Sequence, residues 1–245
     1  QEIIQYLAPF SPGRYLDCTA GAGGHSKGIL EASAPDGQLV ALDLDPDAVA
    51  LARARLAPFG SRGIVIHASY TESAQVLAEI GWQKVDGIVL DLGVSSMQLD
   101  QAERGFSFQQ NGPLDMRFDP TRGPSAADLV NNLDEKALAD LIWRYGEERY
   151  SRKIARAIVQ ARPLQTTQEL ATVVRFAIGR NSERQDPATR TFQALRIAVN
   201  DELKNIQEAL PQLIELLEPN ARLAVISFHS LEDRIVKQIF QRESK

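Results

Sequence analysis

Cysteine is nearly absent. Cys18 is the only one in 245 residues, which excludes an internal disulfide framework, and its place in an apolar run reads as a small buried residue rather than a nucleophile. A reducing, cytoplasmic setting is the expectation. Histidine is scarce too: the three present are far apart in sequence, no His, Cys and carboxylate set has zinc spacing, and no metal is expected. No apolar run approaches ~20 residues and no signal-peptide pattern opens the chain, so no membrane span is expected. An overall basic excess is also missing, since a net charge of -5 argues against a uniformly basic nucleic-acid binder. The chain opens on Gln1 rather than Met, so a fragment or ordered core of a longer protein is expected.

What is present suits a proper core. At 44% hydrophobic and 24% charged, the sequence fits one large or two modest globular domains. Its charge is unevenly placed: from Arg104 to Asn200 there are 15 Lys/Arg against 11 Asp/Glu, while the remainder carries 12 against 21. A basic module embedded in an acidic one points to a polyanionic partner, although a solvated helical face gives the same count.

The organising stretch is Tyr15 to Ser26, YLDCTAGAGGHS. An apolar run ends in Asp17, a turn of small residues with Gly21, Gly23 and Gly24 follows, and His25 and Ser26 open an apolar-spaced segment. This predicts strand, glycine loop and helix, a cradle in which backbone passes close to a small ligand and helix N–H groups face it. Ser26 stands where a dinucleotide fingerprint would place its third glycine, which weakens that reading. Asp17 would sit beside the ligand, where a carboxylate suits a cationic group better than a pyrophosphate, and S-adenosylmethionine carries both an ammonium and a sulfonium. Asp43 falls twenty residues after Gly23, near the end of a second strand over 38–44, where a ribose-binding acid is expected. Asp45-Pro46 reads as an N-cap followed by a first-turn proline.

Further strands are expected over 63–68, 85–92 and 221–228, with helices over 3–10, 48–56 and 71–80. Tyr70, just past the third strand, is placed to lie over an adenine. The fourth strand ends in Asp91, at the carboxyl edge where open α/β sheets bind ligands. Residues 98–119 show neither helical nor strand periodicity and are expected to form a long functional or mobile loop. From Ser125 the pattern is helical: 133–145, 151–161, a capping box at Thr166 and Glu169, and a long helix from Phe192 to Leu217 that Pro211 kinks or splits. Arg149, Arg152, Lys153, Arg156 and Arg162 crowd one region, followed by Arg175, Arg180, Arg184, Arg190 and Arg196. Guanidinium suits bidentate phosphate contact and stacking on unpaired bases, so phosphate contact is the expectation.

The combination of DCTAGAGGHS (17–26), LDLDPDA (42–48), DGIVLDLGVSSMQLDQAERGFSF (86–108), GPLDMRFD (112–119) and VISFHSLEDR (225–234) resembles the MraW family across nearly the whole chain. The resemblance implies an S-adenosylmethionine-dependent enzyme that methylates N4 of one cytidine in bacterial small-subunit ribosomal RNA, near the decoding centre. It implies an α/β fold, a Rossmann-like class I methyltransferase domain with a mostly parallel sheet (1–105 and 197–245), and an inserted all-α domain for RNA recognition (106–196). Cofactor contacts would be Gly23, Gly24, His25, Asp43, Tyr70, Asp91 and Gln98, alongside Asp17 and Gly21 of the cradle. Tyr70 and Met97 depart from the phenylalanine and proline usual at those positions, and segments expected before Gln1 and after Lys245, including a basic terminal motif, are missing.

Cytosine N4 is a poor nucleophile, because its lone pair is delocalised into the ring; a site must accept hydrogen bonds from the amine and align the reactants. The acidic-proline-proline-aromatic set of many amino methyltransferases is absent, since Asp91-Leu92-Gly93-Val94 stands there. Asp91, Ser95 and Ser96 are the candidate acceptors, with His229 and Ser230 at the same edge; a lone histidine after a strand serves structure more often than catalysis. Phe106, Phe108 and Arg117 are candidate stacking partners for an extruded base, and packing between domains is the equal alternative. The expected partner is small-subunit ribosomal RNA or the small ribosomal subunit, with a homodimer as a further candidate. Three other readings are a Rossmann-type oxidoreductase, disfavoured by Ser26 and Asp17, a non-catalytic RNA-binding assembly factor retaining a cofactor pocket, and a protein-methylating enzyme.

Overall fold

The structure is a computed structural model that describes residues 2–179 and 186–244. The chain divides into two compact units, Gln1–Gly93 with Leu203–Lys245, and Val94–Glu202.

The first unit opens with α1 (Glu2–Leu7) and β1 (Arg14–Asp17). It continues through α2 (Gly24–Ala32), β2 (Gln38–Asp43), α3 (Pro46–Leu56), β3 (Gly63–His67), α4 (Ser73–Glu79) and β4 (Val85–Asp91). After the second unit, α11 (Glu202–Glu215) leads back to β5 (Leu217–Ile226) and α12 (Ser230–Glu243). The strands form one all-parallel sheet in the order β3-β2-β1-β4-β5. The central strands are apolar at nearly every position because helices cover both faces. Tyr15, Leu39, Ala41 and Val89 point to one core with Ile29, Leu30, Ala52 and Leu56. Leu16, Val40, Leu42, Ile88 and Leu90 point to the other, against Leu77, Leu210, Leu213 and Val236. Asp45 caps α3, accepting from Asp47 N at 3.0 Å ahead of Pro46. The fold is therefore the α/β class expected, with β5 starting earlier than 221 because Leu217 already pairs with Val85 across a register irregularity.

The second unit holds α5 (Ser96–Asp100), α6 (Ala126–Asn132), α7 (Glu135–Gly146), α8 (Ser151–Ala161), α9 (Thr167–Ile178) and α10 (Thr189–Val199). It is wider than the 106–196 expected because α5 and the turn after it belong to it, while 105–119 form no helix or strand, as the missing periodicity predicts. Ser95 and Gln98 close a capping box on α5, a single helical turn covers Ala102–Arg104, and Phe106, Leu114 and Met116 enter the helical core beside Val130, Ile142, Ile158 and Val174. The capping box at Thr166 and Glu169 forms as expected. The long helix breaks at Asn200-Asp201 and not at Pro211, which lies inside α11. Asp201 adopts φ 51, and the Asn200 side chain is drawn away to accept from Phe118 N and donate to Met116 O.

Candidate active site at the carboxyl edge of the sheet

The site begins with a buried carboxylate. Asp17 ends β1 fully buried, its Oδ1 accepting from Thr19 N at 3.2 Å and its Oδ2 from Ser26 Oγ at 2.6 Å. Burial pushes its acid above the usual range, against those two bonds. Asp17 thus ties the loop at Thr19 to the first turn of α2 at Ser26. Ser26, read from sequence only as a missing glycine, is the residue that makes this possible.

Above Asp17 the loop backbone is fixed at both sides, since Cys18 N donates to Val89 O and Ala20 N to Leu42 O. Gly23 then takes φ 78 as the residue before α2, a conformation side chains resist. At Gly21, with φ 50, an added Cβ would meet nothing within 4 Å, so the loop borders open space. Gly24 and His25 form the first turn of α2, with their N–H groups unused by the helix.

Two further carboxylate residues are tied to the same loop. Asp43 Oδ2 accepts from Gly21 N at 2.7 Å and Oδ1 from Asp45 N at 2.9 Å, so both oxygens must be acceptors. Burial raises its pKa to about 6. Asp91 ends β4, its N–H donating to Thr19 Oγ1 at 2.7 Å. His25 Nε2 lies 3.4 Å from Asp91 Oδ2, and that contact holds the imidazole pKa above its usual value. Asp91 Oδ1 is buried with no hydrogen-bond partner among the described residues. Tyr70 opens the turn after β3, half-buried against the same core as Leu42 and Leu90. Thr19 was missed in the sequence; its signal is a hydroxyl two residues past the strand-ending Asp17.

His229 is corrected by the geometry. It caps α12, Nδ1 accepting from Glu232 N at 3.4 Å and Nε2 lying 3.2 Å from Glu232 Oε1, so both ring nitrogens face a fully buried glutamate of its own helix. Its side chain serves the cap of α12. Cys18 is buried, which pushes its thiol pKa up and removes it as a nucleophile. Among the described residues no cluster of His, Cys, Asp and Glu could hold a metal ion.

In the second unit, Ser95 Oγ accepts from Gln98 N and Gln98 Oε1 accepts from Ser95 N, so both side chains serve the α5 cap, while Ser96 is exposed. Phe106 is buried and stacked on Phe118 at 5.6 Å, and Phe108 packs edge-on to Phe192 at 4.8 Å with Arg175 over its ring. Arg117 is held by Asp115 in a bidentate pair. These three expected stacking residues are therefore committed to the unit's own core and loop. Arg162 donates to the Val130 and Leu133 carbonyls at the end of α6, Arg175 pairs with Asp186, Arg190 with Glu148 and Arg196 with Glu202. These four are engaged within the unit; Arg180 and Arg184 lie outside the described residues. The more exposed basic side chains form a stripe on α8 and the residue before its cap. Arg152 and Lys153 are exposed without an ion-pair partner among the described residues, Arg156 meets Glu135 at 3.4 Å, and Arg149 lies 4.8 Å over the Tyr150 ring.

The chain matches the family described as MraW methylase over residues 1–245. It is 55% identical over 245 residues to the ribosomal RNA small subunit methyltransferase H of Dehalococcoides mccartyi, covering 100% of this chain and 70% of that protein. The protein of the same name from Acinetobacter baumannii is 52% identical over 244 residues, covering 100% of this chain and 79% of its own. Among solved structures, a putative rRNA-methylase from Clostridium thermocellum is 16% identical with a TM-score of 0.33, over 38% of this chain and 48% of that one.

Removing the Ser26 hydroxyl isolates the loop anchor. Ser26→Ala is expected to cost about 1–3 kcal/mol, the range for a buried hydrogen bond to a charged group, read as a lower urea midpoint with unchanged slope. Because Ser26 stabilises the ionised form of Asp17, the variant raises that acid's pKa further, and its deficit should shrink as pH falls and the carboxylate takes up a proton.

Proposed function

The chain belongs to the MraW methylase family, and from that membership we propose that it transfers a methyl group from S-adenosylmethionine to N4 of one cytidine in bacterial small-subunit ribosomal RNA, near the decoding centre. The observation that carries the cofactor reading is the convergence of Asp17, Asp43 and Asp91, at the ends of three adjacent strands, on one glycine loop. Carboxylates gathered at the carboxyl edge of a parallel sheet suit a ligand that carries hydroxyl and cationic groups.

The residues fit the cofactor. Asp43, already oriented by Gly21 and Asp45, offers its remaining lone pairs to ribose hydroxyls, Tyr70 an aromatic face to adenine, and the N–H groups of Gly24 and His25 a set of donors. Bound S-adenosylmethionine supplies an electrophilic methyl on a sulfonium. The protein's part is to hold the amine in line, to accept its N–H bonds so that the lone pair leaves conjugation, and to keep water out. Asp91 is the acceptor for this, with Thr19 fixing its backbone and His25 meeting one carboxylate oxygen. Three acids close together repel one another, which favours a cationic ligand. The α8 stripe of Arg149, Arg152, Lys153 and Arg156 supports an RNA substrate. The runner-up is a non-catalytic RNA-binding factor with a retained cofactor pocket, which shares the cofactor contacts and differs in transferring no methyl group.

Labelled methyl transfer to small ribosomal subunits lacking the modification, followed by nucleoside digestion and mass spectrometry, tests the reaction. N4-methylcytidine is expected; cofactor binding without transfer would favour the non-catalytic reading. Cofactor affinity should rise as pH increases through about 6, where Asp43 loses its proton and both oxygens become acceptors. Folding stability runs the other way for this group: its raised pKa contributes most below the unfolded value and is lost through about 6. Asp43→Asn should flatten the binding profile and weaken affinity by about 10- to 100-fold in calorimetric titrations with S-adenosylhomocysteine. Arg152→Glu with Lys153→Glu should weaken RNA binding and reduce the log-affinity versus log-salt slope by about 1–2, leaving cofactor affinity unchanged.

A further inference from the structure

We propose that Phe228 is the platform on which the target base stacks while its amine is methylated; this rests on the RNA methyl-transfer reading above. In parallel pairing Ile226 lies opposite Asp91, and Leu92 N donates to Ile226 O at 3.0 Å. Phe228 is two residues further on, at the carboxyl edge of the sheet beside the strand that carries the amine acceptor. It is 66% exposed. The other large exposed aromatics described in this unit, Tyr6 and Phe10, precede β1 and stand at the amino edge.

The backbone beneath the ring is rigidly held. Glu232 is fully buried and its Oε2 accepts from Phe228 N at 2.9 Å and from His229 N at 3.4 Å. The His229 imidazole is turned back onto the same glutamate, which leaves the Phe228 ring as the group this turn presents outward. A desolvated carboxylate that fixes an exposed phenylalanine is a costly arrangement for surface decoration, and a suitable one for placing an aromatic face at a fixed height over a reacting edge. The amine of cytosine must approach the methyl donor along its lone pair, out of the ring plane. A flat surface under the base sets that plane, and an aromatic face binds an unstacked pyrimidine without reading its sequence. Phe228 therefore supplies the stacking that Phe106 and Phe108, enclosed in the helical core, do not offer.

The test measures methyl transfer to the modification-free small subunit with Phe228→Ala, Phe228→Leu and Phe228→Trp, together with cofactor affinity and thermal stability. Stacking predicts that Ala and Leu lower kcat/KM for RNA by about 10- to 100-fold at unchanged cofactor affinity, and that Trp restores it, because the loss tracks the π-face rather than apolar area. Leu restoring activity, or Ala matching wild type, would overturn the proposal. A photocrosslink from 5-bromocytidine at the target position reads contact without turnover: it should map to the 221–234 peptide in wild type and vanish in Ala. Crosslinking elsewhere while wild type methylates RNA would sink Phe228 alone. A wild-type chain that neither binds nor methylates the RNA would instead remove the underlying reading, and this inference with it.

Discussion

The site depends on one buried carboxylate and the hydroxyl that answers it. Asp17 is taken fully out of water at the end of β1, and the penalty is offset by Ser26 Oγ at 2.6 Å and Thr19 N at 3.2 Å. Because Ser26 belongs to α2 and Thr19 to the loop, these two bonds set where the helix starts and how the loop leaves the sheet. The other acids are then placed by the same loop: Gly21 N holds Asp43, and Thr19 Oγ1 holds the Asp91 backbone. Three strands are registered by pairing, and their terminal acids by a loop of ten residues or so.

That arrangement is also an electrostatic device. Asp91 raises the Asp17 acid and Asp17 raises that of Asp43, on top of burial. The cluster is therefore under mutual repulsion before any ligand arrives, and His25 beside Asp91 relieves it only in part. The field at the loop therefore favours a cation over an anion. The basic charge sits elsewhere, on α8 of the other unit, where its exposed positions carry Arg152, Lys153 and Arg156.

The sheet was readable because β1 to β4 are short apolar runs, three of them ending in an aspartate, and parallel strands covered on both faces can hardly look otherwise. Asp45-Pro46 and the Thr166–Glu169 box were readable for a local reason: a cap is decided by residues three apart. The same rule, applied to Ser95 and Gln98, marks the start of α5. The aromatic and arginine assignments failed for a different reason. Phe106 meets Phe118, Arg162 meets Val130 and Leu133, and Arg190 meets Glu148 through the fold. Side-chain type announces what a residue is able to bind, and only packing decides whether a neighbour has claimed it. Asn200 shows the same limit in the backbone, since its distant partners Phe118 and Met116, and not Pro211, set where the helix breaks.

The sheet unit is interrupted by the whole of Val94–Glu202. As the chain leaves the ribosome, β4 is complete long before β5 exists, and its outer backbone groups stay unpaired while the intervening residues are translated. At roughly 5–20 residues per second that delay is several seconds, far longer than a helical module needs to collapse. The helical unit, being continuous in sequence, is thus positioned to mature first, with the sheet waiting as an open-edged intermediate that invites pairing with other nascent strands. The burden of protecting the newborn protein therefore falls on a single strand edge for a defined interval, and ends when Leu223 to Ile226 zip onto Ile88 to Asp91.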